Sequence, residues 1–156
     1  MRALLFTLLT VALVACAPKA PTPPTAAEVV AIGEAAHKAY VDAINSNTTD
    51  TLMAVLTDDV VYQAPHEPEI VGRAAVRAWV DGYFGAYKAE WKKTTLDFIV
   101  AGDWAFERYA YESTDTPKAG GPAATDKGKG LNVYHHDADG IWRVARDAWS
   151  SDLPVK

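Results

Sequence analysis

An α+β domain is the fold class this sequence predicts, on three observations. Apolar residues recur at helical spacing from the mid-twenties to the late eighties, and after residue 90 the period changes to two. Asp137-Ala138-Asp139-Gly140 then stands between two alternating runs, a strong hairpin signal. Helices first and an antiparallel meander last is an α+β order. No internal repeat and no second domain interrupt it. A hydrophobic content of 49%, with five Trp and seven Tyr, is enough for a real core or a pocket walled by flat, amphipathic rings.

Thr25 opens the first helix, with Glu28 three residues later at capping-box spacing. Val29, Ile32, Ala36, Tyr40 and Ala43 carry its apolar stripe to about Ser46. Asn47-Thr48-Thr49-Asp50 is a polar break and cap. A short second helix follows with Leu52, Met53, Val55 and Leu56, ended by Thr57-Asp58-Asp59. Val60 to Gln63 reads as a short strand, and Pro65-His66-Glu67-Pro68 as loop. Gly72 precedes a third helix whose stripe is Val76, Trp79, Val80, Tyr83, Phe84 and Tyr87. Strands are expected at 91–101, 104–113, 129–136 and 141–150, the first two joined by Gly102-Asp103. The segment Asp115 to Gly128, with two Pro, three Gly and mostly small polar residues, is expected to be a mobile loop.

The N-terminus carries a different signal. Met1-Arg2 is a short positive start, and Ala3 to Ala15 is apolar apart from Thr. Thirteen residues fall short of the roughly 20 a spanning helix needs but suit the apolar region of a signal peptide. Leu13-Val14-Ala15-Cys16 resembles a bacterial lipobox, which implies a diacylglyceryl thioether on Cys16 after removal of residues 1–15. The lone Cys of the chain is then an anchor point, and several acyl chains hold a protein stably on a membrane. Residues 16–24, with four Pro among the eight residues after Cys16, form an extended tether. The folded domain is expected at 25–153. Ala17 after the Cys leans, by resemblance to lipoprotein sorting, toward the outer membrane facing the periplasm of a bacterial envelope.

Charge and motif content exclude several function classes. The formal charge is −5 and no basic block follows Lys19, which argues against a nucleic-acid footprint. One Cys precludes a disulfide framework. In His135-His136-Asp137 the adjacent strand residues point to opposite faces, so both His do not readily reach one ion, and no metal is expected. There is no phosphate loop, dinucleotide fingerprint or Ser-His-Asp order, and no cofactor is expected.

Four stretches, LTDDVVYQAP (56–65), IVGRAAVRAWVDGYF (70–84), GDWAFERY (102–109) and DGIWRVARDAWSSD (139–152), together resemble the nuclear-transport-factor-2-like (NTF2-like) superfamily. That superfamily includes ketosteroid isomerase and the SnoaL-like cyclases, and the match is best to its small bacterial DUF4440 branch. The resemblance implies a cone: three N-terminal helices packed in a curved, mainly antiparallel sheet around one cavity. It implies several possible functions, because the superfamily hosts isomerases, cyclases, dehydratases, binding modules and assembly modules.

Proton transfer beside a carbonyl, the chemistry of the isomerase branch, needs a carboxylate base and donors for an enolate oxygen. Asp147 is the best candidate base, since it lies in an otherwise apolar strand. Its other reading is an Asp that faces water or pairs with Arg146, Arg108 or Arg143. Tyr62 is an enolate donor or a core Tyr, and His66 is a loop His that could act as acid or base. Trp79 and Tyr83 on the third helix, with Trp104, Arg108, Asn132, Tyr134 and Trp149, are the candidate ligand-binding set. A buried Arg108 needs a partner, and Asp147 across the sheet is the expected one.

The expected function is an envelope lipoprotein that binds a small apolar or aromatic molecule in its cone. The alternatives are an isomerase-, cyclase- or lyase-type acid–base enzyme without cofactor, and a non-catalytic module that dimerises through its sheet.

Overall fold

The computed structural model describes residues 23–154, so the apolar leader, Cys16 and most of the tether lie outside the described residues. Thr25 caps α1 (Ala26–Asn45) by the expected capping box: its side chain accepts from the Glu28 amide while the Glu28 carboxylate accepts from the Thr25 amide. The buried side of α1 is Gly33, Ala36, Tyr40, Ala43 and Ile44. Asn47 and Asn45 then tie the end of α1 to Ala89 and Trp91 of the sheet by side-chain hydrogen bonds.

The second helix is shorter than expected. α2 covers Thr49–Ala54, and Leu56 already opens β1 (Leu56–Gln63). Leu56 pairs with Val144 in a parallel ladder, a long-range partner that ends the helix early. The two-residue strand β2 (Ile70–Val71) pairs with β1, and α3 (Arg73–Ala86) follows from Gly72 at φ 87°. Val76, Val80 and Phe84 are the buried line of α3, with Trp79 and Tyr83 beside them, while Tyr87 lies beyond the helix and begins β3.

The remaining strands are β3 (Tyr87–Ala101), β4 (Trp104–Pro117), β5 (Ala124–His136) and β6 (Trp142–Ser151). They form a meander completed by β1 and β2, in the order β2-β1-β6-β5-β4-β3, antiparallel except where β1 meets β6. The expected mobile loop at 115–128 is a correction: Thr114↔Thr125, Asp126 and Lys127 are paired in the β4–β5 ladder, and the turn is confined to 118–123. The Asp137–Gly140 turn joins β5 to β6 as expected, with Gly140 at φ 82° donating to the Asp137 carbonyl.

One irregularity orients the site. Between Val133↔Arg146 and Tyr134↔Val144 the β5–β6 register shifts, leaving Ala145 as an extra residue in β6. Such a bulge reverses the side on which later residues stand. Val144 and Asp147 therefore both turn inward, and the helices close over them.

Candidate functional site

The helices and the inner sheet face leave a pocket with Asp147 among its walls. Around the carboxylate stand Tyr40 from α1, Tyr62 from β1, Trp79 and Tyr83 from α3, Trp91 from β3 and Trp149 from β6. Its volume is about 30 Å³, room for one or two water-sized groups.

Asp147 is buried and accepts two phenolic hydrogen bonds, from Tyr40 Oη at 2.6 Å and Tyr109 Oη at 2.8 Å. Tyr62 Oη is 3.0 Å from Tyr40 Oη. Because Tyr40 spends its proton on Asp147, Tyr62 is the donor in that pair, and the three groups form a chain from Tyr62 through Tyr40 to the carboxylate. Burial, and next the negative charge of Asp147, push the Tyr40, Tyr62 and Tyr109 hydroxyls well up, so all three stay protonated donors.

Tyr109 reaches Asp147 because Gly130 lies under it. A Cβ at Gly130 would stand 2.3 Å from the Tyr109 hydroxyl and ring, and 2.7 Å from the Ala148 carbonyl.

Lys93 lies in the same layer. Its ammonium sits 3.5 Å from the Tyr109 ring centroid and 4.6 Å from that of Tyr40, and reaches Asn132 Oδ1 at 3.5 Å. Burial lowers its pKa, while Asp147 and Glu107 oppose the shift. No ion pair within 4.0 Å joins Lys93 or Asp147 to any described residue.

A second buried carboxylate, Glu107, stands deeper in the cone. His37 Nδ1, Thr95 Oγ1 and Tyr134 Oη each lie 2.6 Å from it, and Asn132 Nδ2 donates at 3.3 Å. Burial alone raises a carboxyl, but the hydrogen bonds from His37, Thr95 and Tyr134 together outweigh it and hold Glu107 down at about 2.

At the mouth, the polar atoms of the aromatic side chains are turned to one another and to acids. Trp79 Nε1 donates to Glu67 at 2.8 Å, Trp91 Nε1 donates to Tyr83 Oη at 3.1 Å, and Tyr83 Oη donates to Asp115 at 2.5 Å.

Of the residues expected from sequence, Asp147, Tyr62, Trp79, Tyr83 and Trp149 meet at this pocket. Asn132 and Tyr134 are buried one layer below, as partners of Glu107. His66 is exposed in its loop at φ 62°, away from the pocket walls. Trp104 and Arg108 point out of the cone, and this corrects two expectations. Arg108 pairs with Asp97 at 2.7 Å on the outer sheet face, because β4 turns Ala105, Glu107 and Tyr109 inward and alternates Trp104, Phe106 and Arg108 outward. The Arg108–Asp147 pair is therefore absent. The other cations named for Asp147 are likewise engaged elsewhere: Arg146 with Asp59, and Arg143 with Asp137 and Asp139. His135 sits 2.6 Å from Asp137 while His136 stacks on Trp142.

Sequence reasoning missed Tyr40, Trp91, Lys93, Tyr109, Glu107 and His37. The alternation of Glu107, Tyr109 and Tyr111 in β4 was the signal available for two of this interior group, Glu107 and Tyr109.

Comparison with known proteins places these features in a family context. Residues 37–147, more than two thirds of the chain, match the model of the SnoaL-like domain. Among solved structures, a ketosteroid isomerase-like protein from Erwinia carotovora atroseptica is 30% identical over 81% of this chain and 98% of its own, with a TM-score of 0.73. A candidate dehydratase of the NTF2-like family from Streptomyces avermitilis superposes with a TM-score of 0.72 at 18% identity, covering 82% of this chain and 99% of its own. A candidate calcium/calmodulin-dependent protein kinase type II association domain from Thiobacillus denitrificans has a TM-score of 0.63 at 25% identity, covering 77% of this chain and 94% of its own. No curated protein matches the chain in sequence.

Proposed function

Since the chain belongs to the SnoaL-like domain family, with the NTF2-like fold, we propose that it binds a small, largely apolar or aromatic molecule in the pocket above Asp147. The observation that carries this reading is the state of Asp147. It is a buried carboxylate in an aromatic-walled pocket, held by two phenols and, among the described residues, by no Arg or Lys within ion-pair distance. A carboxylate kept only to stabilise a core is ordinarily paired, whereas one in a pocket of aromatic walls and few polar groups has the make-up of a ligand site. The signal-peptide and lipobox pattern at Cys16 supports a setting on the bacterial envelope, through a lipid anchor.

The test is a thermal-shift and tryptophan-fluorescence screen of the full-length chain against aromatic ketones, alcohols and amines. A ligand at about 100 times its Kd stabilises by roughly 2.7 kcal/mol, a rise of several degrees in Tm. Trp79→Ala should remove the response. A panel without a single response speaks against the reading.

Proton transfer is a second reading, supported by the Tyr62–Tyr40–Asp147 chain, which aligns a candidate base with a donor. Turnover of a β,γ-unsaturated ketone that Asp147→Asn abolishes would establish it. Pairing of two copies through the outer sheet face is supported by the exposed Leu96, Ile99, Phe106 and Leu131, and sedimentation of the full-length chain tests it.

A further inference from the structure

The chemistry of the pocket walls narrows the ligand class. Of the ten lining residues, seven are aromatic and one is an acid, and none is Lys, Arg or His. An anion would therefore meet Asp147 with no positive side chain among the pocket walls, since Lys93 lies on the Tyr40 and Tyr109 rings outside that lining. A neutral plug would cover the carboxylate without adding an opposite charge. Several walls meet near right angles, Tyr62 against Trp149 at 87°, Tyr62 against Trp79 at 85° and Trp91 against Trp149 at 87°, while Trp79 stacks on Tyr83 at 23°, so faces and edges of rings both border the pocket. Their polar atoms are taken up at the mouth by Glu67, Asp115 and one another. Tyr83 and Trp79 donate to carboxylates there, which enriches the electron density of both rings.

The protein also shows the same chemistry beside Asp147 itself. Tyr40 and Tyr109, the two phenols that hold Asp147, already carry the Lys93 ammonium on their rings at 4.6 and 3.5 Å. Aromatic faces attract cations through the ring quadrupole, and more strongly out of water.

We propose that the pocket selects a small organic ammonium: an amine-bearing molecule whose charged nitrogen docks between Asp147 and the surrounding rings, with an apolar or aromatic body in the mouth. This rests on the small-molecule reading above and specifies its ligand. The pocket volume of about 30 Å³ suits a primary ammonium head of about the size of water, with the body lying outside it against the aromatic rim.

Three probes with one body and three charges test it: benzylammonium, benzyl alcohol and benzoate, titrated at pH 7 into the full-length wild-type chain by tryptophan fluorescence and calorimetry. Benzylammonium should bind roughly tenfold or more tightly than benzyl alcohol, and benzoate most weakly. Asp147→Asn should bring benzylammonium to within about threefold of benzyl alcohol, while Trp79→Ala should weaken both. The wild-type series stands without the variants should either fail to fold. A preference for the ammonium well below tenfold, or tighter binding of the alcohol or of benzoate, overturns the cation assignment and leaves the small-molecule pocket standing. No response to any of the three overturns both.

Discussion

Replacing Glu107 by Gln should destabilise the protein in a way that depends on pH. His37, Thr95 and Tyr134 hold the folded carboxyl at about 2, against an ordinary value of 4.5. That difference corresponds to about 3 kcal/mol of linked stability. The folded value is the depressed one, so the unfolded chain takes up the proton first as pH falls. The contribution is complete above about pH 4.5, declines between 4.5 and 2, and is absent below. Gln has the shape of the protonated acid but offers one acceptor oxygen to a site built of donors. Urea denaturation of wild type and Glu107→Gln should therefore differ by about 3 kcal/mol at pH 7 and by about 1 kcal/mol at pH 3. Comparing the two proteins at each pH cancels the other low-titrating acids, Glu28, Asp59, Asp126, Asp137 and Asp139, which both retain. A gap that stays constant from pH 7 to pH 3 would refute the reasoning, because Glu107 would then matter for packing and not for charge. So would a Gln variant as stable as wild type at pH 7.

Three further changes probe the same interior. Lys93→Met removes the buried cation that the charges of Asp147 and Glu107 both favour, and should lose about 3 kcal/mol at neutral pH by chemical denaturation; a more stable variant would mean that burying the ammonium costs more than its charges return. Gly130→Ala puts a Cβ 2.3 Å from the Tyr109 ring and hydroxyl, so Tyr109 must leave Asp147. The expected loss is about 3 kcal/mol, or roughly 10 °C in Tm, and Tyr109→Phe should add little in that background; additive losses would show that the hydrogen bond survives. Thr25→Ala breaks the capping box of α1 and should lower stability by about 1 kcal/mol, with no effect on ligand affinity; a change in affinity would tie the helix start to the pocket.

What the sequence made legible was mostly local. The Thr25 capping box, the polar break after α1 and the Asp137–Gly140 turn each depend on a few neighbouring residues, and all three stand where expected. The errors lie where a distant partner decides. Leu56 looks like a helix residue until Val144 pairs with it. Residues 124–128 look like loop because they share a segment of Pro, Gly and small polar residues that ends on Gly128. The strand needs Gly128 without a side chain, for a Cβ there would stand 2.0 Å from the Ser150 carbonyl and 2.9 Å from the Tyr111 ring.

The site was half legible for a related reason. Asp147 stood out as an acid in an apolar strand, but its face depended on the extra residue Ala145, and nothing in β6 alone marks a bulge there. In β4 hydrophobicity pointed the wrong way. Trp104 and Phe106 are larger and more apolar than Ala105 and Glu107, so the strand reads as if Trp104 and Arg108 faced the core. The true inward set is Ala105, Glu107, Tyr109 and Tyr111, with the buried charge met by His37 from a helix 70 residues earlier. Binary patterning works when one face of a sheet is polar. Here the outer face also carries Trp104, Phe106, Ile99 and Leu131, while the inner one holds two carboxylates and a lysine. Each face breaks the rule for its own reason: the inside because its charges are hydrogen-bonded within a polar layer, the outside because its rings and aliphatic side chains are exposed. The same inversion that hid Glu107 from the sequence is what gives the interior its chemistry.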